Sequence, residues 1–539
     1  MRVSHNHVMR HLCLVGVVFG GQVSAVALSN GIGPTGVQPL PTGPPNTTMQ
    51  HKLPQPNGAV LGKGISSKHS KTLLQIRGRV PAGPVTIQEA VAIALSNSPA
   101  IQTAVENLHR LEGVTDLTRA AFNPTLEGNF NYTRLKQQYA NFGSGSPILL
   151  VNPDSITLQA DFTLPLDIMG ELRAAKDQAG FNEVAARINV NSVMNQTVLN
   201  VKNSFYSALR AQALVQVAVD NLNDDLAQLT DAQNKLKAGT AAPFDVLTAQ
   251  TNVASAQQQL IAARSNVGLA IASLNNAMGI AIDSPITLSD EGAVVTPSMA
   301  SPATNPTSQS VDTMGADLET SDLGPAYNHL LDTAEDNRPE ILGARASLAA
   351  AKKGIFIAEK SSLPSFNINA QASYTPNASG FSPQTTASQF GVSVAIPIFD
   401  GGVTKAEITQ AHAEVDTART ALRQTIDSVN LNVRNAYLTL LQDRDLVAVA
   451  QQGLLQAKES YRLSEVRYKS GVSTLVEVTN AEAALSQAES NQVNAIYNYN
   501  AARSAMDAAV GRYSYNIKGL GYTTTPAPSV VGEKVKSKK

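Results

Sequence analysis

The chain has 539 residues, a formal net charge of −1 at pH 7, 5% aromatic residues and no tryptophan. A balance this close to zero, with so few aromatic rings, gives no electrostatic or stacking basis for binding nucleic acid. The single cysteine, Cys13, excludes a disulfide framework within the chain.

Residues 1–27 read as an export signal. Arg2 and Arg10 precede an apolar run at 12–19, and Ala25, Val26 and Ala27 fit a small-residue cleavage site. The apolar run is shorter than the ~20 residues needed to span a bilayer, so a membrane anchor is not the reading. The residues before Cys13 do not form a lipid-attachment motif. Residues 28–84 are rich in Pro and Gly without apolar periodicity and read as a linker. Helical periodicity starts after Val85, where Thr86 and Glu89 have capping-box spacing. Pro99 breaks the pattern, and it resumes to about Ala120.

The period then changes from helical to alternating. Leu126, Gly128, Phe130 and Tyr132 alternate with Thr125, Glu127, Asn129 and Asn131, and 156–164 repeats this arrangement. Two further alternating stretches lie at 366–374 and 390–396, so four strands are expected, each with an apolar and a polar face. Each is about as long as a transmembrane β-strand. An ordinary half-buried hairpin of a soluble domain has the same alternation, but the polar faces here are mostly Asn, Gln, Ser and Thr, as suits a wet lumen. The loop at 139–147, with Ser144 in it, is expected on the outer side of a membrane. Four strands leave open edges, which lipid does not tolerate, so a barrel requires several chains.

From about 172 to 236 the chain is proline-free and rich in Ala, Leu, Gln and Asn, which predicts a helix about 100 Å long. A turn at Gly239 follows, then a returning helix with Ala242 at its N-cap, Pro243 at its first position and Asp245 three residues past the cap. All of this recurs 232 residues later without a gap. Gly239 falls on Gly471, Val246 on Val478, Gly279 on Gly511 and Pro165 on Pro397. The chain is an internal duplication. In the second copy Thr474 and Glu477 have capping-box spacing. The organisation read from the sequence is a first repeat at 85–283, a polar surface insertion at 284–326, a second repeat at 327–513 and a polar tail at 514–539.

The order helix, strand pair, very long helix, tight turn, returning helix, stated twice, resembles the TolC-like outer membrane efflux family. The strings that carry the resemblance are IPIFDGG at 396–402, with its weaker counterpart LPLDIMG at 164–170, and the tip patterns at 468–478 and 239–246. The resemblance implies a mainly α fold with transmembrane β structure. Three chains would each give four strands to a twelve-stranded barrel, continued by a periplasmic α-helical barrel. It also implies an outer-membrane location, a homotrimer, and docking on a periplasmic adaptor protein served by an inner-membrane pump. Pro165, Gly170, Pro397, Gly401 and Gly402 would form the strand-to-helix junctions, and Gly239 and Gly471 the tip turns. Around the tip, Glu477 matches the first position of the family's acidic ring, and Asn480 stands where a second acid is often found. Asp245 matches the aspartate of the family's closing lock, Ser473 occupies the position of its arginine, and Tyr468 fits the pattern.

An Asp245/Glu477 ring would gather cations at low ionic strength, with Glu477 contributing more; the plain alternative is that both carboxylates only stabilise helix N-termini. A periplasmic adaptor or coiled-coil scaffold is the second functional reading, because adaptors also use long hairpins. An enzyme is the third, and no residues volunteer for it. There is no phosphate loop, no dinucleotide fingerprint and no zinc spacing among His51, His69, His109, His329 and His412. No cofactor is expected.

Overall fold

The computed structural model describes residues 83–134, 138–140, 148–151, 154–290, 294–296, 325–376 and 386–513. The stretch read as a signal (1–27), nearly all of that read as a linker (28–84), most of that read as an insertion and that read as a tail from 514 lie outside these residues. So does Ser144.

Eight helices are described. They are α1 (Ile87–Asn97), α2 (Pro99–Ala120), α3 (Glu171–Lys237), α4 (Pro243–Met278), α5 (Pro325–Asn337), α6 (Pro339–Lys360), α7 (Val403–Lys469) and α8 (Leu475–Ala509). The capping box that starts α1 is formed: Thr86 N donates to Glu89 Oε2 at 3.0 Å, and Glu89 N donates to Thr86 Oγ1 at 3.3 Å. Pro99 and Pro339 each open a helix at its first position, where a missing N–H costs nothing. α3 and α7 both have 67 residues, and the starts of α3 and α7, and of α4 and α8, are 232 apart. The duplication is therefore structural as well as textual.

Each long helix is held by its shorter neighbours through apolar clusters in matching places. In the first repeat Val85, Ala90 and Ala94 meet Val201, Phe205, Leu274 and Met278. In the second, Ile341 and Ala334 meet Val433, Met506 and Val510. Val201/Val433, Leu274/Met506 and Met278/Val510 are equivalent under the shift. A further cluster seats Ile101, Val105 and Leu108 of α2 on Val190 and Met194 of α3. The repeats are also tied to each other, as in the 2.8 Å contacts Ser192 Oγ to Glu340 Oε1 and Lys353 Nζ to Asp177 Oδ2.

Gly279 ends α4 at φ 72°, and a Cβ there would lie 2.8 Å from the carbonyl oxygen of Asn97, where α1 breaks. Gly511 repeats the contact against Asn337. Only glycine combines that backbone conformation with so close an approach. Gly279→Ala is expected to destabilise the first repeat by about 1–3 kcal/mol from backbone strain alone, read as a lower denaturant midpoint, whereas Gly268→Ala, in open space on the same helix, leaves the midpoint unchanged or raised.

Part of the stretch read as a surface insertion is packed. Val85 N donates to Thr287 O at 2.7 Å and Ser289 N to Val85 O at 3.0 Å, with Ile286 buried beside α1. Val295 exchanges backbone hydrogen bonds with the Asn500 side chain. A few apolar residues in that polar composition suffice to fix these segments, and α5 already begins at Pro325.

The strands are β1 (Thr125–Arg134), β2 (Gln138–Ala140), β3 (Ile148–Val151), β4 (Asp154–Leu166), β5 (Ser365–Tyr374) and β6 (Thr386–Ala395). β2 and β3 pair, so the span read as a loop at 139–147 begins inside a strand; 141–147 lie outside the described residues. The other four form one antiparallel sheet in the order β1-β4-β5-β6, with β4 and β5 joining the two repeats. Its register lines up Phe130 with Leu158, Leu158 with Tyr374, and Ala370 with Phe390 on one face. That face is open: Leu126, Phe130, Phe390 and Val392 are 62–75% exposed. On the other face Asp161 Oδ2 accepts from Asn129 at 3.0 Å, and Asp161 Oδ1 accepts from Gln159 at 2.7 Å and Gln371 at 3.0 Å. Gln389 in turn donates to Gln371 at 2.6 Å. A polar ladder crosses all four strands, and β1 and β6 are left as edges. Among the described residues no helix is long and apolar enough to cross a membrane; the exposed apolar face belongs to the sheet.

Candidate functional site at the hairpin tips and strand-to-helix junctions

Pro165 lies within β4 opposite Asn367, and Pro397 follows the end of β6. Gly170 and Gly402 are the N-caps of α3 and α7 with φ of 83° and 92°, and Gly401 also has positive φ. These residues turn the chain from strand to helix, and two aspartates fix the turns. Asp400 accepts from Gly402 N and Thr404 N, both at 2.8 Å. Bonds from Thr404, side chain and backbone, and from the Gly402 amide hold its carboxyl down at about 2. Asp167 accepts from Leu172 N and Arg173 N at 3.1 Å. Both carboxylates satisfy free amides at a helix N-terminus and favour its positive dipole end. Both aspartates lie inside the strings at 164–170 and 396–402, where spacing alone gives them no role.

At the other end Gly239 and Gly471 have φ of 75° and 78°. Each closes its long helix with a paired cap: Gly239 N to Leu236 O and Thr240 N to Lys235 O, then Gly471 N to Tyr468 O and Val472 N to Arg467 O, all 2.9–3.1 Å. Asp245 Oδ2 accepts from Ala242 N at 3.2 Å, one half of a capping box, since alanine has no oxygen to return the bond. The Thr474–Glu477 box expected from the sequence does not form. Ser473 Oγ donates to Glu477 Oε2 at 2.7 Å, and Arg467 Nη1 pairs with Glu477 Oε1 at 2.9 Å. Asn480 is exposed, one turn further on.

Tyr468 is the anchor of the tip. It is 7% exposed and packs with Ala232, Ala249, Leu475 and Val478, so residues of both repeats meet there. Lys235 Nζ, from the first repeat, sits 3.3 Å from the Tyr468 ring centroid and donates to the Tyr468 carbonyl at 2.5 Å. Burial pushes the Tyr468 hydroxyl up, helped by Asp245 and Asp231. Burial also lowers the Lys235 ammonium, against the pull of the same two carboxylates. Among the described residues Asp245 makes no hydrogen bond or ion pair with the second repeat. At the tip of one chain Lys235–Tyr468 joins the two hairpins, and Asn252 Nδ2 to Thr479 Oγ1 at 3.5 Å joins them just beyond. The sequence carried no motif for Lys235, and Arg467 was hidden because it caps the helix preceding the one that carries Glu477.

Two long helical hairpins in tandem, joined at one end by a sheet with an exposed apolar face, define an outer-membrane channel subunit. The family model described as outer membrane efflux protein matches residues 90–280 and 330–512. The chain belongs to this family, and its place is the outer membrane with the helices in the periplasm. It is 25% identical over 420 residues to the solvent efflux pump outer membrane protein SrpC of Pseudomonas putida, covering 74% of this chain and 80% of that one. It is 22% identical over 416 residues to the outer membrane protein TolC of Salmonella enteritidis, covering 75% and 77%. Among solved structures, the outer membrane protein VceC of Vibrio cholerae superposes with a TM-score of 0.62 at 20% identity, over 79% of this chain and 96% of that one.

Proposed function

We propose that three copies of this chain form the passive exit duct of an efflux pump or type I secretion machine. Each chain gives four strands to a twelve-stranded barrel and two hairpins to the helical barrel below it. The supporting observation is the sheet: an apolar face open on one side, a polar hydrogen-bonded ladder on the other, and two unpaired edges, β1 and β6. Lipid accepts no such edges, and a second and third copy close them. A relative named for solvent efflux supports small apolar molecules as cargo. In this reading the tips dock on a periplasmic adaptor that an inner-membrane pump serves, and no cofactor takes part. The adaptor or scaffold alternative needs hairpins but has no use for a lipid-facing sheet.

The test is the detergent-extracted protein. Light scattering is expected to give a homotrimer, and planar bilayers a water-filled pore; a monodisperse monomer that still conducts would overturn the barrel count. Asp245, Glu477, Asn480, Tyr468 and Ser473 would then surround the periplasmic mouth. Because Arg467 neutralises Glu477, Arg467→Gln is expected to raise cation over anion permeability at low salt by roughly twofold or more, while Glu477→Gln lowers it. Reversal potentials in a salt gradient decide this, and unchanged values in both variants would leave these carboxylates as helix caps.

A further inference from the structure

Above the tip lies a buried polar cluster that the duct reading does not use. Asp225 and Gln228 of α3, Ser464 of α7 and Glu482 of α8 are 4–7% exposed and come from both repeats. Gln228 Nε2 donates to Glu482 Oε2. Ser464 Oγ is spent on the Tyr461 carbonyl at 2.8 Å. The remaining oxygens, Glu482 Oε1 and Gln228 Oε1, are buried with no donor among the described residues. Asp225 accepts no hydrogen bond there either. One oxygen of Glu482 and the amide oxygen of Gln228 thus lack donors beside a second buried carboxyl, Asp225, an arrangement costly for an ionised pair. A proton supplies what is missing, because it neutralises one carboxylate and adds an O–H donor.

We propose that Glu482, Asp225 and Gln228 form a proton-operated clamp: protonated, they hold the two hairpins packed together above the tip, and deprotonation at alkaline pH loosens them towards an open duct. The inference rests on the duct reading of the chain.

The surroundings favour the proton. From α3, Asp224 and Asp225 face Glu482; from α7, Tyr461 and Glu465 adjoin the cluster, and Glu489 of α8 and Asp220 of α3 act on Asp224. Of the neighbouring cations, Lys458 pairs with Glu489 at 3.6 Å and Lys469 with Glu465, and neither makes an ion pair with Glu482. α4 carries two titratable groups, Asp245 and Arg264, and neither acts on Glu482. Burial, then the Asp225 and Asp224 carboxylates, push the Glu482 carboxyl up to about 8. Burial, then Asp224, push Asp225 up to about 6. The packed state therefore binds protons more tightly than a loosened, hydrated state with ordinary carboxyls. Its advantage is full below the ordinary carboxylate range and is lost as pH rises through about 6 and then about 8. Each linked proton changes the packed-to-loosened ratio by up to about tenfold per pH unit in that window.

The test uses full-length protein in planar bilayers from pH 5.5 to 9.5. Wild-type conductance is expected to stay low to neutral pH and rise around pH 8. Glu482→Gln, which keeps the shape and cannot ionise, is expected to stay low throughout, and Asp225→Asn to shift or flatten the rise should the first variant not assemble. A flat wild-type profile, or the wild-type rise kept in both variants, overturns the clamp. Amide hydrogen exchange of 222–232 and 475–489 in the detergent-solubilised protein, corrected for the intrinsic pH dependence, reads the same event without a pore. Loss of protection above pH 8 in wild type but not in Glu482→Gln supports the clamp even if no conductance appears, an outcome that would overturn the duct reading instead. Protection that does not change with pH overturns the clamp.

Discussion

Phe390→Arg should remove most of the protein from the outer membrane, while Gln389→Arg, one residue away, should leave it in place. Phe390 is 75% exposed on the apolar face and stands opposite Ala370, whereas Gln389 points to the polar ladder and donates to Gln371. An arginine on the lipid face near the bilayer midplane costs about 2–4 kcal/mol in a transmembrane barrel. In the proposed trimer three copies carry that cost together, so assembly should fail rather than weaken. A lumen arginine stays in water. Membrane fractionation followed by detergent extraction reads both variants; equal membrane retention would show that the exposed face does not meet lipid.

Lys235→Met should open the tip. The ammonium lies over the Tyr468 ring and bonds its carbonyl, and methionine keeps much of the apolar stem while removing the charge. A partly exposed cation–π contact with one charge-assisted hydrogen bond is worth about 1–2 kcal/mol after solvent screening. That is about a tenfold gain in open population per chain. Single-channel conductance is expected to rise, and Lys237→Met on the exposed side of the same turn should not change it. Conductance unaltered by Lys235→Met would mean that the apolar contacts of Tyr468 alone hold the tip.

The fold was legible where one physical signal ran long. Proline-free stretches of 65 residues and a gapless shift placed α3 and α7 to within a residue of their ends. Strict alternation placed β1, β4, β5 and β6, because a one-residue error would put Phe130 and Phe390 on the polar side. The short ladder of β2 and β3 was missed, although the apolar run at 148–151 marked it, because Gly and Ser at 143–146 suggested a loop. At the tip, the sequence pointed to Glu477 and Tyr468 but not to what they touch. Arg467 is ten positions before Glu477, across a helix end and a turn, and capping-box spacing was the nearer explanation. Asp225 and Glu482 are 257 positions apart in Ala- and Gln-rich helices. No local pattern joins two such carboxyls; only the packing of one repeat on the other brings them together.

The equal lengths of α3 and α7 act as a ruler. Removing one residue from either helix would turn everything beyond it by about 100° and raise that turn by about 1.5 Å, so one hairpin would present the wrong face at the wrong level. Seven residues, close to two full turns, keep the face and change the reach by about 10 Å. The span of the duct is therefore adjustable only in coarse steps, and only when both repeats change together. A mouth assembled from two different hairpins stays level because neither can be trimmed alone.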